Sequence, residues 1–437
     1  MMTAMASLQA QIFDMLQHSQ YWPVAKLRAY QESQLAQLIA HARKEVPFYE
    51  GRLDILFDHS GAIDWSRWPE VPVLTRAELR DHGKEICARR LPQGHGVVRD
   101  AATSGSTGVP VCLRQNDLYK QSTLTAGSRF AQWAGVLPDM TFASLAPHFP
   151  DHLPPDVNVH TLPIRDPAIR GSGRRLLLRR TLPAPALLDV IAAEGVQALG
   201  GNVVLLEILA RVNLKRARPL RFSAVMFFGV EVDPAQRRII GESFGARCTD
   251  TYSSEETGRI AGQCEHGSYH INAEQMLVEI VGKDNRPVQP GQEGRVLVTP
   301  FLLTSQPLIR YEIGDLAVAG NACSCGRTLP TIDRLTGRQF PLFLGPDGTR
   351  IPPLFDHEAI VATLDCKAYQ IAQTTPLALE LRYIPDGEVS KAAFDHLRTL
   401  IRAVMPAGTS VVFREVDSLP DPTGRKIQRL VREFQIP

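Results

Sequence analysis

Between Thr141 and Tyr252, short apolar runs alternate with helical patterns, and this alternation leaves the chain few folds. Thr141–Ala146, Val196–Leu199, Ser223–Phe228 and Arg247–Tyr252 read as strands; Pro183–Glu194, Val203–Val212 and Pro234–Phe244 read as helices. Such alternation builds a largely parallel sheet covered by helices. In those sheets ligands bind beyond the carboxyl ends of the strands, and Tyr252–Gly258 lies at such an end. Upstream, Asp117–Trp133 reads as a helix with Asn116 as its N-cap. The first fifty residues also read as helical, with Leu35, Leu38, Ile39 and Ala42 on one apolar stripe that Pro47 stops. A short helix is expected near Arg76–Ile86. From Tyr269 to Val318 the texture becomes β-rich, with strands at Met276–Val281, Gly294–Thr299 and Ile309–Ala319. Beyond Gly337-Arg338 a tail of about a hundred residues carries a strand at Leu377–Tyr383, a helix at Ser390–Met405 and a strand at Thr409–Val416. With 437 residues, 44% of them hydrophobic, the chain can bury a large core in two or three domains.

The charge balance excludes some partners. A net charge of +2 gives no reason to expect nucleic acid or an anionic membrane surface. The most apolar region, Leu182 to Val212, is interrupted by Asp189, Glu194, Glu207 and Arg211, so no membrane span is expected. The N-terminus lacks a basic cluster followed by an apolar run. Seven cysteines in a chain this long do not make a disulfide scaffold. The expected location is the cytoplasm.

Five sets of residues can carry chemistry. Thr103-Ser104-Gly105-Ser106-Thr107-Gly108-Val109-Pro110 combines hydroxyls with glycines, a loop type whose backbone N–H groups cradle phosphate oxygens; no Gly-Lys-Ser/Thr follows, so it is not a Walker A loop. Cys264-Glu265-His266 and Cys323-Ser324-Cys325 together supply Cys₃His, a closed tetrahedral zinc set, which makes the metal structural. Tyr252-Ser253-Ser254-Glu255-Glu256-Thr257-Gly258 places two carboxylates at a strand end, where either can meet Mg²⁺. Arg310-Tyr311-Glu312-Ile313-Gly314-Asp315 carries an acid able to accept both hydroxyls of a ribose. Near the end, Thr423-Gly424-Arg425-Lys426-Ile427-Gln428-Arg429 forms a basic turn whose lysine can meet developing negative charge.

In their order along the chain, these motifs resemble the adenylate-forming superfamily of acyl-CoA synthetases, adenylation domains and luciferases, and within it the phenylacetate–CoA ligase family. The helix end Val46-Pro47-Phe48-Tyr49 and the Cys-x-His … Cys-x-Cys pair fit that branch. The resemblance implies a large α/β N-terminal domain over about residues 1–335, with mainly parallel sheets and a zinc-braced β-rich subdomain at about 259–335. It implies a small, mobile α+β C-terminal domain over 338–437. It also implies two half-reactions: a carboxylate attacks the α-phosphate of ATP to give an acyl-adenylate and pyrophosphate, then a thiol takes the acyl group and releases AMP. Carried onto this chain, Ser104, Gly105, Ser106, Thr107 and Gly108 hold phosphates. Gly229, Glu231, Tyr252 and Ser253 contact the nucleotide, and Asp315 holds the ribose. Glu256 binds Mg²⁺, with Glu255 as the alternative. Arg338 contacts ribose or phosphate, and Lys426 bridges carboxylate and α-phosphate. The acid pocket is expected at His148, Phe149, Phe228 and Thr251. Expected partners are a small, aryl or similar, carboxylic acid, ATP, and CoA or the phosphopantetheine of an acyl carrier protein, with an amine acceptor as the alternative and a homodimer left open.

The sequence also departs from that pattern. Val109 and Val111 stand where the loop usually has a Lys, Ser253 stands for Gly, and Glu255 stands for Thr. Gln339-Phe340-Pro341 replaces the acidic hinge pair, and Gly345-Pro346-Asp347-Gly348 replaces the loop that helps the thiol step. Adenylation is therefore better supported than CoA transfer. A non-catalytic, zinc-braced, nucleotide-binding relative is the rival; the missing loop lysine favours it, and Lys426 with Asp315 speaks against it.

Overall fold

A computed structural model describes residues 2–102, 112–145, 149–150, 153–154, 156–162, 173–180, 182–228, 232, 234–336, 343–351, 353, 355, 357–364, 366–385, 387, 389–419 and 430–434. By contact the chain divides into two compact units, Met1–Asp100 with Arg114–Arg338, and Ala101–Leu113 with Gln339–Pro437.

The first unit opens with helices α1 (Met2–Ser19) and α2 (Val24–Glu45). Leu27, Leu35, Leu38, Ile39 and Ala42 of α2 are buried, the stripe that three- and four-residue spacing produces. Pro47 then begins a 3₁₀ turn, because proline cannot donate the next helical bond. Helix α3 (Arg76–Asp81) is shorter than the expected Arg76–Ile86 and starts from a capping box, Thr75 with Glu78, that satisfies two orphan N–H groups. Strands β1 (Val98–Ala102) and β2 (Cys112–Asn116) pair as a ribbon, followed by α4 (Asp117–Trp133). Asn116 occupies the N-cap position of α4 but makes no capping bond. Its Oδ1 instead accepts from the backbone N–H of Thr304 at 3.1 Å and the Ser305 hydroxyl at 3.2 Å. The cap expected from local sequence thus gives way to a tertiary contact.

Next come β3 (Phe142–Leu145), β4 (Val159–Thr161), β5 (Arg175–Leu178), α5 (Ala184–Ala193), β6 (Ala198–Gly201), α6 (Val203–Asn213), β7 (Ala224–Phe228), α7 (Pro234–Phe244) and β8 (Arg247–Ser254). Six further strands follow: β9 (Gly258–Gln263), β10 (Tyr269–Ile271), β11 (Met276–Val281), β12 (Glu293–Pro300), β13 (Tyr311–Ala319) and β14 (Thr331–Leu335). They form one twelve-stranded sheet in the order β11-β12-β13-β14-β10-β9-β8-β7-β6-β3-β5-β4. The run β5-β3-β6-β7-β8 is parallel. From β8 to β9 the pairing turns antiparallel and stays so to β11. The β-rich stretch after Gly258 therefore extends the parallel sheet instead of making a separate one. The chain reverses its winding direction at β3, which lies between β5 and β6. Such switch points open the crevices in which α/β sheets hold ligands.

Two fully buried guanidiniums brace this unit. Arg129 of α4 pairs with Glu274 at 2.7 Å, and Arg310 pairs with Glu279 at 3.1 Å. Arg310 has φ of 49°, a left-handed conformation costing about 1–3 kcal/mol in a non-glycine residue. Its guanidinium donates to the carbonyls of Pro69, Val71 and Asn285, which holds it in that conformation.

The second unit contains β15 (Phe343–Leu344), β16 (Arg350–Ile351), α8 (His357–Leu364), β17 (Cys366–Thr375), β18 (Ala378–Pro385), α9 (Lys391–Arg402), β19 (Ser410–Glu415) and β20 (Leu430–Arg432). Its four-stranded sheet runs β19-β18-β17-β20. Leu397 and Ile401 of α9 pack with Ile371, Leu379 and Leu381 in its core. The Gly345–Gly348 stretch is the turn between β15 and β16, tied by Asp347 to the Thr349 hydroxyl.

Candidate active site and metal centre

Strand β8 ends at the boundary between the parallel and antiparallel halves of the sheet, and there the structure joins two of the sequence motifs. The Tyr252 hydroxyl donates to Asp315 Oδ2 at 2.7 Å, with both residues buried. The bend that aims Asp315 comes from its own strand. Arg295 of β12 pairs with Leu316, yet Leu297 pairs with Glu312, so β13 carries extra residues across this step. Gly314 sits inside that bulge with φ of 84°, a conformation glycine alone adopts at little cost. This is why a glycine precedes the aspartate.

The two adjacent glutamates part company. Glu256 is buried and ion-paired with Arg76, the first residue of α3. Glu255 is exposed in the β8–β9 turn, and its backbone carbonyl accepts from Gln115 at 3.0 Å. Tyr119 of α4 lies beside them; burial, then the charges of Glu256 and Glu255, push its pKa up. Ser253 is partly exposed and pairs across the strands with Arg259.

The expected acid-pocket residues are spread over strand ends. Phe228 closes β7, and its ring meets that of Phe142 over Gly200; a Cβ on Gly200 would lie 2.7 Å from both rings. The Thr251 hydroxyl donates to the Phe227 carbonyl at 3.2 Å, so it is committed to the sheet. Phe149 lies under the Arg179 guanidinium at 4.3 Å. Ser104, Gly105, Ser106, Thr107, Gly108, His148, Gly229, Glu231, Arg338 and Lys426 lie outside the described residues.

At the far end of β9 the structure gathers Cys264, His270, Cys323 and Cys325, with one ligand atom from each lying within 4.8 Å of the others. The histidine in this cluster is His270, not the expected His266. Residue 266 sits in the turn after Cys264 and its Nδ1 bonds Ser324 Oγ at 2.7 Å, whereas His270 lies on β10 with Nε2 3.2 Å from Cys325 Sγ. Two histidines follow Cys264 within six residues; sequence proximity favoured the nearer one, and the β9–β10 hairpin brings the farther one back. The four side chains fit zinc. Cys264 and Cys323 sulfurs are 3.7 Å apart, close to the edge of about 3.8 Å of a tetrahedron with Zn–S bonds of about 2.3 Å. Burial pushes the Cys264 thiol up to about 11. Burial, then the Arg327 charge, pulls His270 down to about 4. Arg327 itself pairs with Glu265 at 2.9 Å and lies on the Trp133 ring.

A scan of protein-family profiles found no match. Among curated proteins, the chain is 28% identical over 332 residues to a phenylacetate–coenzyme A ligase of Thermus thermophilus, covering 72% of this chain and 71% of that one. It is 27% identical over 326 residues to a phenylacetate–coenzyme A ligase of Escherichia coli, covering 72% of each. Over about seven tenths of its length the chain is thus similar to AMP-forming acid–thiol ligases. Solved structures agree at the level of fold. 2-Hydroxyisobutyryl-CoA ligase, in complex with 2-HIB-AMP and CoA in its thioesterification state, superposes with a TM-score of 0.63 at 21% identity, covering 94% of this chain and 91% of that one. The same ligase in its postadenylation state gives 0.59, covering 95% and 93%. The mixed α/β sheet with its α+β tail matches the fold of adenylate-forming enzymes. Among the described residues, no helix is long and apolar enough to cross a membrane.

Proposed function

We propose that this chain is an AMP-forming acid–thiol ligase: it joins a small, aryl or similar, carboxylic acid to ATP as an acyl-adenylate, releases pyrophosphate, and passes the acyl group to the thiol of CoA or a carrier-protein phosphopantetheine. The observation that carries this reading is the Tyr252–Asp315 hydrogen bond, which brings two motifs 63 residues apart together at the mouth of the parallel sheet. Held there, Asp315 is the carboxylate assigned to accept the ribose hydroxyls. In-line displacement at the α-phosphate asks for positioning and charge neutralisation, and the Ser104–Gly108 loop and Lys426 are assigned those tasks. The test is incubation with ATP, Mg²⁺, CoA and a panel of acids. AMP and acyl-CoA appearing together support the thiol ligase. AMP formation that needs an amine in place of CoA would move the assignment to amide synthesis, and ATP binding without AMP would favour a non-catalytic relative.

Mg²⁺ is assigned to the Glu255–Glu256 pair. Glu255 offers the exposed carboxylate, whereas Glu256 serves only by exchanging Arg76 for the cation. The variant, Glu255→Gln or Glu256→Gln, whose Mg²⁺ requirement rises about tenfold identifies the ligand. Unchanged Mg²⁺ dependence in both would remove the pair from the metal site.

Zinc is assigned to Cys264, His270, Cys323 and Cys325. With all four positions filled by protein, it supplies a structural cross-link between the β9–β10 hairpin and the β13–β14 turn. Cys325→Ser is expected to lower zinc content from about one per chain towards zero and to lower the Tm by more than about 5 °C. His266→Ala is expected to keep the metal. Atomic absorption checks both, and zinc lost from His266→Ala but kept by His270→Ala would reverse the assignment.

A further inference from the structure

Arg259 is the second residue of β9. Tyr252 pairs with Ala261 and Ser253 with Arg259, so Ile260 is an extra residue in that strand. In an unbroken strand, residues 259 and 262 would point to opposite faces. Here they face the same helix. A Cβ on Gly262 would run into Phe130 of α4, and Arg259 Nε lies 3.5 Å from where a Cβ on Gly127, also of α4, would stand. The bulge has turned Arg259 onto the α4 face, a way in which bulges near sites re-aim a side chain.

On that face the guanidinium carbon is 6.0 Å from the centre of the Phe228 ring, which closes over Gly200 together with Phe142. That distance is the outer limit of a cation–π contact and compensates little charge. Among the described residues, no hydrogen bond or ion pair closes on this guanidinium. Arg129 and Arg310, by contrast, each hold a carboxylate. Glu255 acts on Arg259 only as a charge at a distance, and its carboxylate stays exposed. Burial lowers the Arg259 pKa, yet an arginine stays protonated at any ordinary pH. A partly desolvated cation without an anion costs free energy. A ligand that brings the anion removes that cost.

We propose that Arg259 is a specificity-determining residue that pairs with a second anionic group on the acid, at the end away from the carboxylate being activated. The substrate class is then small acids carrying two anionic groups, a second carboxylate being the simplest. This inference rests on the adenylation reading and on Phe228 as a wall of the acid pocket.

The test compares matched acids, benzoate with terephthalate and pentanoate with glutarate, in ATP–pyrophosphate exchange by the wild type, Arg259→Gln and Arg259→Lys. The wild type is expected to favour the diacid of a pair by roughly 10- to 100-fold in kcat/KM. Arg259→Gln should collapse that ratio mainly through KM, and Arg259→Lys should restore part of it. A thermal melt of each variant reports whether it folds. Exchange with the monoacids at a ratio that Arg259→Gln leaves unmoved would overturn the proposal while adenylation stands. If the wild type exchanges with no acid, the adenylation reading fails instead. Calorimetric binding of the diacids then decides the anion site by itself: binding weakened in Arg259→Gln keeps it, and no binding to the wild type overturns it.

Discussion

Replacing Arg129 by Ala is expected to destabilise the protein by about 3–5 kcal/mol. Both partners of the Arg129–Glu274 pair have side chains 0% exposed. Arg129 also donates to Asn272 Oδ1 at 2.7 Å and to the Leu16 carbonyl of α1 at 3.1 Å. The alanine would leave Glu274 charged and buried, with the Ser19 hydroxyl as its remaining donor in this network, and would open a cavity as well. The cost comes from the stranded charge, so Arg129→Met combined with Glu274→Leu should recover most of it. Urea unfolding of the three proteins checks this. A single-variant loss below about 1 kcal/mol would mean that water reaches the pair. Because Arg129 and Ser19 tie α1 to the body, amide exchange in α1 should quicken first.

Asp315→Ala is the variant expected to harm turnover most among the described residues. A carboxylate bonded to both ribose hydroxyls contributes about 3–4 kcal/mol, which corresponds to roughly 10²- to 10³-fold in kcat/KM for ATP. The substitution also leaves the buried Tyr252 hydroxyl without the acceptor it has at 2.7 Å. Tyr252→Phe removes the orienting bond but keeps the acid, so a loss of about tenfold is expected. Calorimetry with AMP separates binding from chemistry. ATP and AMP affinities within twofold of the wild type in Asp315→Ala would place the ribose elsewhere.

Much of this was legible in the sequence because the relevant signals are local. Asp117–Trp133 and Pro234–Phe244 form helices over the residues their periodicity marks. Strand β7, inside the parallel run, is a continuous apolar stretch, as a strand covered on both faces tends to be. The missed elements are of two kinds: β4 and β10 have three residues each and β20 gains its strand character by pairing with β17, whereas helix α8 and the ten-residue β17 itself were passed over. Site chemistry was legible by residue type and less so by partner. Tyr252 and Asp315 were each visible in their motifs, but their contact depends on a bulge at Gly314. The Glu256–Arg76 pair joins residues 180 apart, and no spacing rule reaches that far. His270 lost to His266 because a hairpin reverses the order of proximity. Arg259 carried no signal, since an arginine in a strand reads as a solvated edge until a bulge turns it inward.

The most direct test of the central claim is ATP–pyrophosphate exchange by the purified protein with Mg²⁺ and a panel of aryl, aliphatic and dicarboxylic acids, run in parallel with Lys426→Ala. Acid-dependent exchange that falls by about 10²- to 10³-fold in the variant is the predicted result. Exchange that proceeds without any acid, or that Lys426→Ala leaves intact, would contradict adenylation as the chemistry of this chain.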